Sequence, residues 1–189
     1  LHVFSSFESI GRASLSLPML WGHSMRTGAM ARTIAQHESL PKEEVDYAYI
    51  AALLHDVGKL LLEAHCQEEC LRVYNEVRAN NRRVAEVEAE QLGLTHAEVG
   101  AYLLGLWGLP PQVVQAVSRH HDATRAPGPL NGADIVHFAN LLDHEICVFN
   151  EHYARAEPSP ERLDLIGGPE RYAAWRKAVL SMGLDTEEQ

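Results

Sequence analysis

Hydrophobic positions recur every three to four residues along most of the chain, and polar residues fill the positions between them. This spacing is typical of amphipathic α-helices, whereas the strict apolar–polar alternation of a β-strand never persists beyond a few residues. The pattern predicts helices over residues 2–10, 18–38, 41–64, 66–80, 83–92, 96–107, 110–121, 132–153 and 169–182. The sequence therefore predicts an all-α fold.

Local residues support several of the predicted helix starts. The stretch from Thr95 to Glu98 reads as a capping box, which places His96 in the first turn of its helix. Proline is tolerated in a first helical turn, and it stands near four of the predicted starts, at Pro18, Pro41, Pro110 and Pro169.

Two segments rich in proline and glycine, residues 122–131 and 154–168, are predicted to be loops. We therefore expect residues 1–17 to be the end of a preceding helical segment and residues 18–153 to be a helical core. Residues 154–189 should form a C-terminal loop, a helix and an acidic tail.

The predicted helix 41–64 is apolar on every side, so it should be buried almost completely. His55, Asp56 and Lys59 nevertheless stand in its middle, and buried charges are costly unless they are paired or coordinated. Two explanations stay open: an Asp56–Lys59 ion pair beside a hydrogen-bonded His55, or a set of metal ligands. Gly58 costs about 1 kcal/mol relative to alanine inside a helix, which indicates that another group approaches the backbone there.

Histidine is unusually frequent, with 11 residues. His23, His96 and the pair His120-His121 all fall in helices with apolar faces. Imidazole nitrogens and a carboxylate oxygen on separate core helices are ligands that suit Zn, Fe, Ni or Mn. Four other histidines lie near helix ends or polar segments and are expected at the surface: His2, His37, His65 and His152.

Composition excludes several classes of protein. Hydrophobic residues make up 46% and charged residues 22% of the chain, which is typical of a globular protein. The net charge of −10 argues against binding to DNA or to an anionic membrane. No apolar run approaches the roughly 18 residues of a membrane span.

The three cysteines include no CxxC pair, so a disulfide framework is not expected and a reducing cytoplasm fits better. Cys66 and Cys70 lie one helical turn apart and are expected to be packed thiols. The chain begins with Leu1, which suggests that it is a piece of a longer protein.

The order of the polar residues resembles the HD superfamily of metal-dependent phosphohydrolases: a histidine, then His-Asp, then further histidines and a late acidic residue. His96 followed by His120-His121 is similar to the HD-GYP branch, which splits cyclic di-GMP. The surrounding residues resemble a sister branch, the HDOD domains. The stretches that carry this resemblance lie between about residues 15 and 145 and are Leu20–Ser24, Ala51–Leu60, Glu88–Gly93, His96–Ala101, Leu106–Pro110 and His120–Asp122.

The resemblance implies an HD-like helical bundle and the output half of a bacterial signalling protein, since HDOD domains often follow a receiver domain in two-component systems. These domains are regarded as signalling modules without established catalysis, so the implied partners are proteins. Lys59 matches a lysine thought to hold a phosphate oxygen in HD-GYP enzymes. Six residues match metal ligands there and imply one or two divalent ions (Fe, Mn, Zn or Ni): His23, His55, Asp56, His96, His120 and His121.

The chain departs from the HD-GYP pattern at three points. The Gly-Tyr-Pro triplet after the double histidine is absent, and Met19 replaces an acidic ligand before the first histidine. The late aspartate aligns with Asn140, whose amide is a neutral and weaker ligand. Asp143 and His144 follow closely enough to reach the same site. The polar stripe of His137, Asn140 and His144 is equally compatible with a hydrogen-bond network between helices.

We therefore expect a cytoplasmic signal-transduction output domain, the C-terminal part of a response regulator, that binds partners and keeps all or part of a metal site. The alternative is an HD-type phosphohydrolase that cleaves a cyclic dinucleotide or another nucleotide. The incomplete ligand set favours the binding module over the enzyme.

Overall fold

The structure is a computed structural model that describes residues 16–121, 129–147 and 158–183. These residues form ten helices and no strand, so the prediction of an all-α, HD-like helical bundle is confirmed. The helices are α1 (Leu17–His37), α2 (Lys42–Leu54), α3 (Val57–His65), α4 (Gln67–Asn80), α5 (Val84–Leu92), α6 (His96–Leu106), α7 (Pro111–Arg119), α8 (Gly132–Ile146), α9 (Pro160–Leu165) and α10 (Pro169–Leu180).

The prediction of one continuous helix over 41–64 is wrong, because the backbone leaves the helical path at Asp56 (φ −99°, ψ 7°). His55 ends α2, and its ring Nδ1 lies 2.7 Å from the carbonyl oxygen of Ala52. The amide of Lys59 donates to the carbonyl of Asp56 at 2.9 Å, a tighter turn than an α-helix makes. Because of this break, the successive side chains of His55 and Asp56 both lie in the interior.

Two smaller differences concern the C-terminal part. The short helix α9 lies inside a predicted loop, and it begins where the Ser159 side chain accepts from the amide of Arg162. Helix α8 ends at Ile146. The predicted helix over 2–10 falls outside the described residues. So do most of the predicted loop 122–131, the end of the predicted helix 132–153, the acidic tail, His2 and His152.

The main core lies between α1, α2, α6, α7, α8 and α10, where small alanines on α1 and α2 let the helices approach closely. A second, smaller core joins α3, α4 and α5. Cys70 is buried in this second core and Cys66 packs against it, and burial raises the pKa of the Cys70 thiol to about 12. The expectation of packed thiols therefore holds for both residues. The exposed positions of His37 and His65 also match the prediction.

Helix α10 is anchored to the end of α1 through Glu38. This carboxylate accepts hydrogen bonds from the Arg171 guanidinium and, at 2.6 Å, from the indole N–H of Trp175. The Trp175 ring is fully buried against Phe138. The C-terminal helix is thus part of the main core. Within the described part of the chain, no helix has the length and hydropathy that a membrane span requires.

Candidate metal centre

The six residues predicted as metal ligands lie together in the structure. They come from the middle of α1, the break between α2 and α3, the first turn of α6 and the end of α7. Five of the side chains are buried and His121 is half-buried. Their nitrogen and oxygen atoms form two groups, within each of which the atoms lie no more than 4.8 Å apart: His23, His55 and Asp56, and His96, His120 and His121.

The carboxylate of Asp56 lies between the two groups. Its Oδ2 is 3.5 Å from His55 Nε2 and 3.7 Å from His23 Nε2. Its Oδ1 is 3.3 Å from His96 Nε2. One oxygen thus faces each group, so this carboxylate could serve as a ligand for a cation in either of them.

Hydrogen bonds outside the cluster orient four of the imidazoles. His55 Nδ1 and His120 Nδ1 lie 2.7 and 2.6 Å from backbone carbonyls three residues earlier. His23 Nδ1 is 2.7 Å from Asp143, and His96 Nδ1 is 2.6 Å from Glu88. Carbonyl and carboxylate oxygens only accept, so each Nδ1 carries a proton, and the opposite nitrogen, Nε2, is the one that points into the cluster. This is the outer hydrogen bond that metal-bound histidines almost always make.

The spacing between facing nitrogens fits a shared cation. His23 Nε2 and His55 Nε2 are 3.2 Å apart, and His96 Nε2 and His121 Nε2 are 2.9 Å apart. Two ligands at metal–nitrogen distances of about 2.0–2.1 Å lie about 2.8–3.4 Å from each other in octahedral or tetrahedral geometry. In the tautomers that Asp143 and Ala52 impose, the His23–His55 contact brings two lone pairs together.

Burial sets the charge of most of the cluster. It lowers the pKa of His55 to about 4 and the pKa values of His120 and His121 well below the usual value, so these rings are neutral imidazoles at pH 7. Burial alone would raise the pKa of Asp56, but the neighbouring His55 and Lys59 outweigh it, and that pKa lies well below the usual value. Burial opposes protonation of His96 too, yet the adjacent carboxylates raise its pKa.

Three buried atoms at or beside the cluster have no hydrogen-bond partner among the described residues: Asp56 Oδ1, His120 Nε2 and Asn140 Oδ1. Buried polar atoms are nearly always satisfied in folded proteins. A divalent cation is a partner that suits all three, because each is a lone-pair donor of a type that such ions bind. The residues present therefore fit a metal.

The ion-pair explanation offered for the central helix is observed, and its residues are also members of the cluster. Lys59 Nζ lies 2.7 Å from Asp56 Oδ2, and His55 bonds to a core carbonyl, as the ion-pair explanation requires. The same Asp56 and His55 also belong to the cluster. Lys59 would have to leave the Asp56 carboxylate before it could contact a phosphate.

The polar stripe of α8 lies along the cluster. His137 Nδ1 is 2.9 Å from the carbonyl of His120, and the His144 ring stacks on His23 with centroids 4.9 Å apart. Asn140 lies one turn from each of them. The stripe is therefore partly a hydrogen-bond network, with one amide oxygen left for another partner. Asp143 contacts the outer side of the site through a hydrogen bond with His23 Nδ1, so it is not placed as a ligand on the inner side.

Two side-chain contacts behind the cluster were not predicted from the sequence. Glu88 of α5 accepts from both the ring and the backbone N–H of His96, and Arg26 holds Asp143 through two nitrogens. Glu88 follows Val84 and Val87 on the buried face of α5. Two signals were available: a carboxylate on an apolar face, and its place in the stretch Glu88–Gly93 that carries the family resemblance.

A cavity of about 410 Å³ lies elsewhere, between the start of α2, helix α7 and the start of α8. None of the six clustered residues lines it. Its floor is formed by Ala48, Ala116 and Ile135, and its rim carries Glu43 and Glu44.

Comparison with known proteins finds a matching family and proteins that are similar in sequence or in fold. The family model of the HDOD domain matches residues 1–123. A protein of Treponema pallidum (strain Nichols), described as uncharacterized, is 30% identical over 111 residues, which are 57% of this chain and 21% of that protein. The chain thus spans about a fifth of this relative's length.

Three solved structures share the fold. An HDOD domain protein of unknown function from Geobacter sulfurreducens is 23% identical with a TM-score of 0.68, over 95% of this chain and 58% of that one. A protein from Shewanella amazonensis SB2B, named as a candidate phosphohydrolase, is 18% identical with a TM-score of 0.69, over 95% and 66% of the two chains. The response regulator MmoQ from Methylococcus capsulatus strain Bath is 22% identical with a TM-score of 0.55, over 90% and 66%.

Proposed function

The chain belongs to the HDOD domain family, and on that premise we propose that it is a cytoplasmic output domain of a bacterial signalling protein. In this proposal it forms the C-terminal part of a response regulator in a two-component system. It acts by binding protein partners and retains a site for one or two divalent cations. The signalling assignment is supported by the likeness to a response regulator in fold.

The observation that carries the metal part is the convergence of six ligand-type residues, four of which are imidazoles whose outer hydrogen bonds already turn the free nitrogens inward. His23, His55, His96 and His120 would each offer Nε2, and Asp56 would offer one oxygen to each half. A bound ion would act as a Lewis acid and lower the pKa of a water molecule on it. Fe, Mn, Zn and Ni all accept this nitrogen-rich donor set.

Enclosure of the cluster supports a binding module over an enzyme. Asp56, His55, His96 and His120 are nearly inaccessible to solvent. Structural metal sites are closed in this way, whereas catalytic sites keep an open position for water and substrate. Lys59, the residue matched to a phosphate contact, is held on Asp56.

Exposed apolar side chains on α6 and at its C-cap support partner binding. Tyr102, Leu106 and Trp107 are 73%, 67% and 59% exposed, although such side chains are costly to leave in water. Large aromatic residues are enriched at protein–protein contacts.

The alternative is a metal-dependent phosphohydrolase that acts on a cyclic dinucleotide or another nucleotide. It is favoured by the position of Asp56 between the two groups and by the likeness in fold to a protein named as a candidate phosphohydrolase. In this case Lys59 would leave Asp56 and donate to a phosphoryl oxygen, where its charge stabilises the transition state.

The test combines metal content with turnover. Purified protein is analysed for bound metal by elemental analysis and then assayed with bis(p-nitrophenyl) phosphate and with cyclic di-GMP in the presence of Mn²⁺. Bound metal that is lost in Asp56→Asn, together with no turnover, is the result expected of the binding module. Turnover that disappears in Asp56→Asn would establish the phosphohydrolase instead. Protein that neither contains nor takes up metal contradicts the metal part of the proposal.

A further inference from the structure

We propose that the first divalent cation binds in the half of the cluster made of His96, His120 and His121, and that Glu88 positions this half for it. This inference rests on the proposed metal binding and adds the order of loading and the residue that sets it. Glu88 acts through His96, so it is a positioning residue.

Charges in the His23 half are already balanced by cations of the chain. This half has two carboxylates, Asp56 as an inner group and Asp143 behind His23. Lys59 Nζ lies 2.7 Å from Asp56 Oδ2. Arg26 lies 2.7 and 3.0 Å from the two oxygens of Asp143. An incoming cation therefore gains little from these carboxylates unless a resident cation moves away.

Charge in the His96 half is not balanced in this way. Glu88 is buried, and its hydrogen bonds within the described residues go to the ring and to the backbone N–H of His96, at 2.6 and 2.9 Å. The ion pair that Glu88 makes is with the His96 ring, which carries a charge only when it is protonated, and no Lys or Arg of the described residues lies at ion-pair distance from Glu88. A buried carboxylate without a permanent counter-charge is costly, and a cation on the far nitrogen of the same imidazole would supply that charge.

Two of the unsatisfied buried atoms belong to the same half. Within the described part of the chain, His120 Nε2 has no hydrogen-bond partner, and Asp56 Oδ1 has none either, although it is only 3.3 Å from His96 Nε2. Together with His96 and His121, they supply three imidazole nitrogens and one carboxylate oxygen. Four such ligands suit a tetrahedral zinc ion.

Apart from Asp56, the opposite half is made of the two imidazoles of His23 and His55. Its inner oxygen, Asp56 Oδ2, is the one that Lys59 occupies. Asn140, which stands where the resemblance places a late carboxylate, offers an uncharged amide oxygen. A cation gains less from an amide than from a carboxylate, so this half should fill second.

The experiment is a titration of the metal-free protein with Zn²⁺ alone, followed through the ¹H–¹⁵N signals of the histidine rings. During the first equivalent, the signals of His96, His120 and His121 should change while those of His23 and His55 stay in place. These signals also report which ring nitrogen carries the proton, so they read the positioning role directly.

Variants compare the role of Glu88 with that of Asp143, the carboxylate behind the other half. Glu88→Gln keeps the shape and removes the charge, and it should weaken the first zinc affinity about tenfold to a hundredfold and let the His96 proton move to Nε2. Asp143→Asn should leave the first affinity within about threefold, because Arg26 already compensates that carboxylate. Glu90→Gln is the matched control, since Glu90 lies on the exposed side of the same helix and pairs with Arg82.

The inference is overturned if His23 and His55 respond first, or if Asp143→Asn weakens the first affinity and Glu88→Gln does not. If Glu88→Gln does not fold, the wild-type titration still decides which half is loaded first, and Glu88→Asp tests whether a carboxylate restores the affinity. Protein that binds no zinc contradicts the proposed function as well. Loading of the His23 half first contradicts this inference alone.

Discussion

Replacing Gly58 by alanine should destabilise the protein, although alanine is the better helix former. A Cβ atom at this position would lie 1.9 Å from the carbonyl oxygen of His96 and 2.7 Å from the amide nitrogen of Gly100. The first of these distances is about 1.1 Å below the 3.0 Å that real Cβ atoms respect. Both contacts are to backbone atoms of α6, so no side chain can rotate away, and α3 must separate from α6.

The cost follows from that separation. Overpacking of a tight interface costs about 1–3 kcal/mol and occasionally more, and the gain in helix propensity offsets at most about 1 kcal/mol of it. We expect a net loss of about 2 kcal/mol. The same movement draws His96 away from Asp56, whose facing atoms are 3.3 Å apart, so zinc affinity should fall as well.

Gly105→Ala is the matched control, because Gly105 lies in α6 and a methyl group added there would meet no other described atom within 4 Å. This variant should be equal to wild type or more stable by about 0.5 kcal/mol. Urea denaturation of the three metal-free proteins gives the free energies of unfolding. A Gly58→Ala protein as stable as wild type would refute the close approach of α3 and α6.

Three further outcomes test other parts of the structure. Glu38→Gln should lower the free energy of unfolding by about 1–3 kcal/mol in urea, since Trp175 and Arg171 lose a charged acceptor. The Arg171 hydrogen bond lowers the pKa of Glu38. The stability difference between wild type and Glu38→Gln should therefore be complete above pH of about 4.5 and shrink as the pH falls through the lowered pKa. A stability difference that grows in acid contradicts the pairing. Asn140→Asp should destabilise the metal-free protein by about 1–3 kcal/mol and tighten zinc binding in calorimetry; unchanged affinity would rule out a ligand role. Thr95→Ala should cost about 1 kcal/mol in thermal unfolding, because it removes the capping box of α6.

The elements that the sequence predicted are those governed by local physics. The helices follow the apolar period, and the capping box at Thr95 starts α6 where the pattern placed it. The break at Asp56 could not be predicted, because it depends on a contact with α6 that lies 40 residues further along the chain. Gly58 indicated that another group approaches the backbone there, but the sequence did not identify that group as α6.

The inner side chains of the cluster were predictable because charged and imidazole groups are conspicuous in apolar helices. The outer partners were not. Glu88 lies in a segment where acidic residues are common, and nothing near Arg26 in the sequence indicates its partner. Only the fold shows that Glu88 faces His96 across the turn between α5 and α6. Arg26 likewise reaches Asp143 over 117 positions.

The two dipeptides at the centre are built in the same way. His55 and His120 each stand at the end of a helix and direct Nδ1 to the carbonyl three residues earlier. A helix carboxyl end carries partial negative charge, so both positions favour a cation nearby. The residue that follows is a carboxylate in one case and an imidazole in the other, Asp56 and His121. The geometry of the halves is therefore alike, and what separates them is charge. Lys59 and Arg26 neutralise the carboxylates of the His23 half, whereas Glu88 behind the His96 half has no Lys or Arg partner among the described residues.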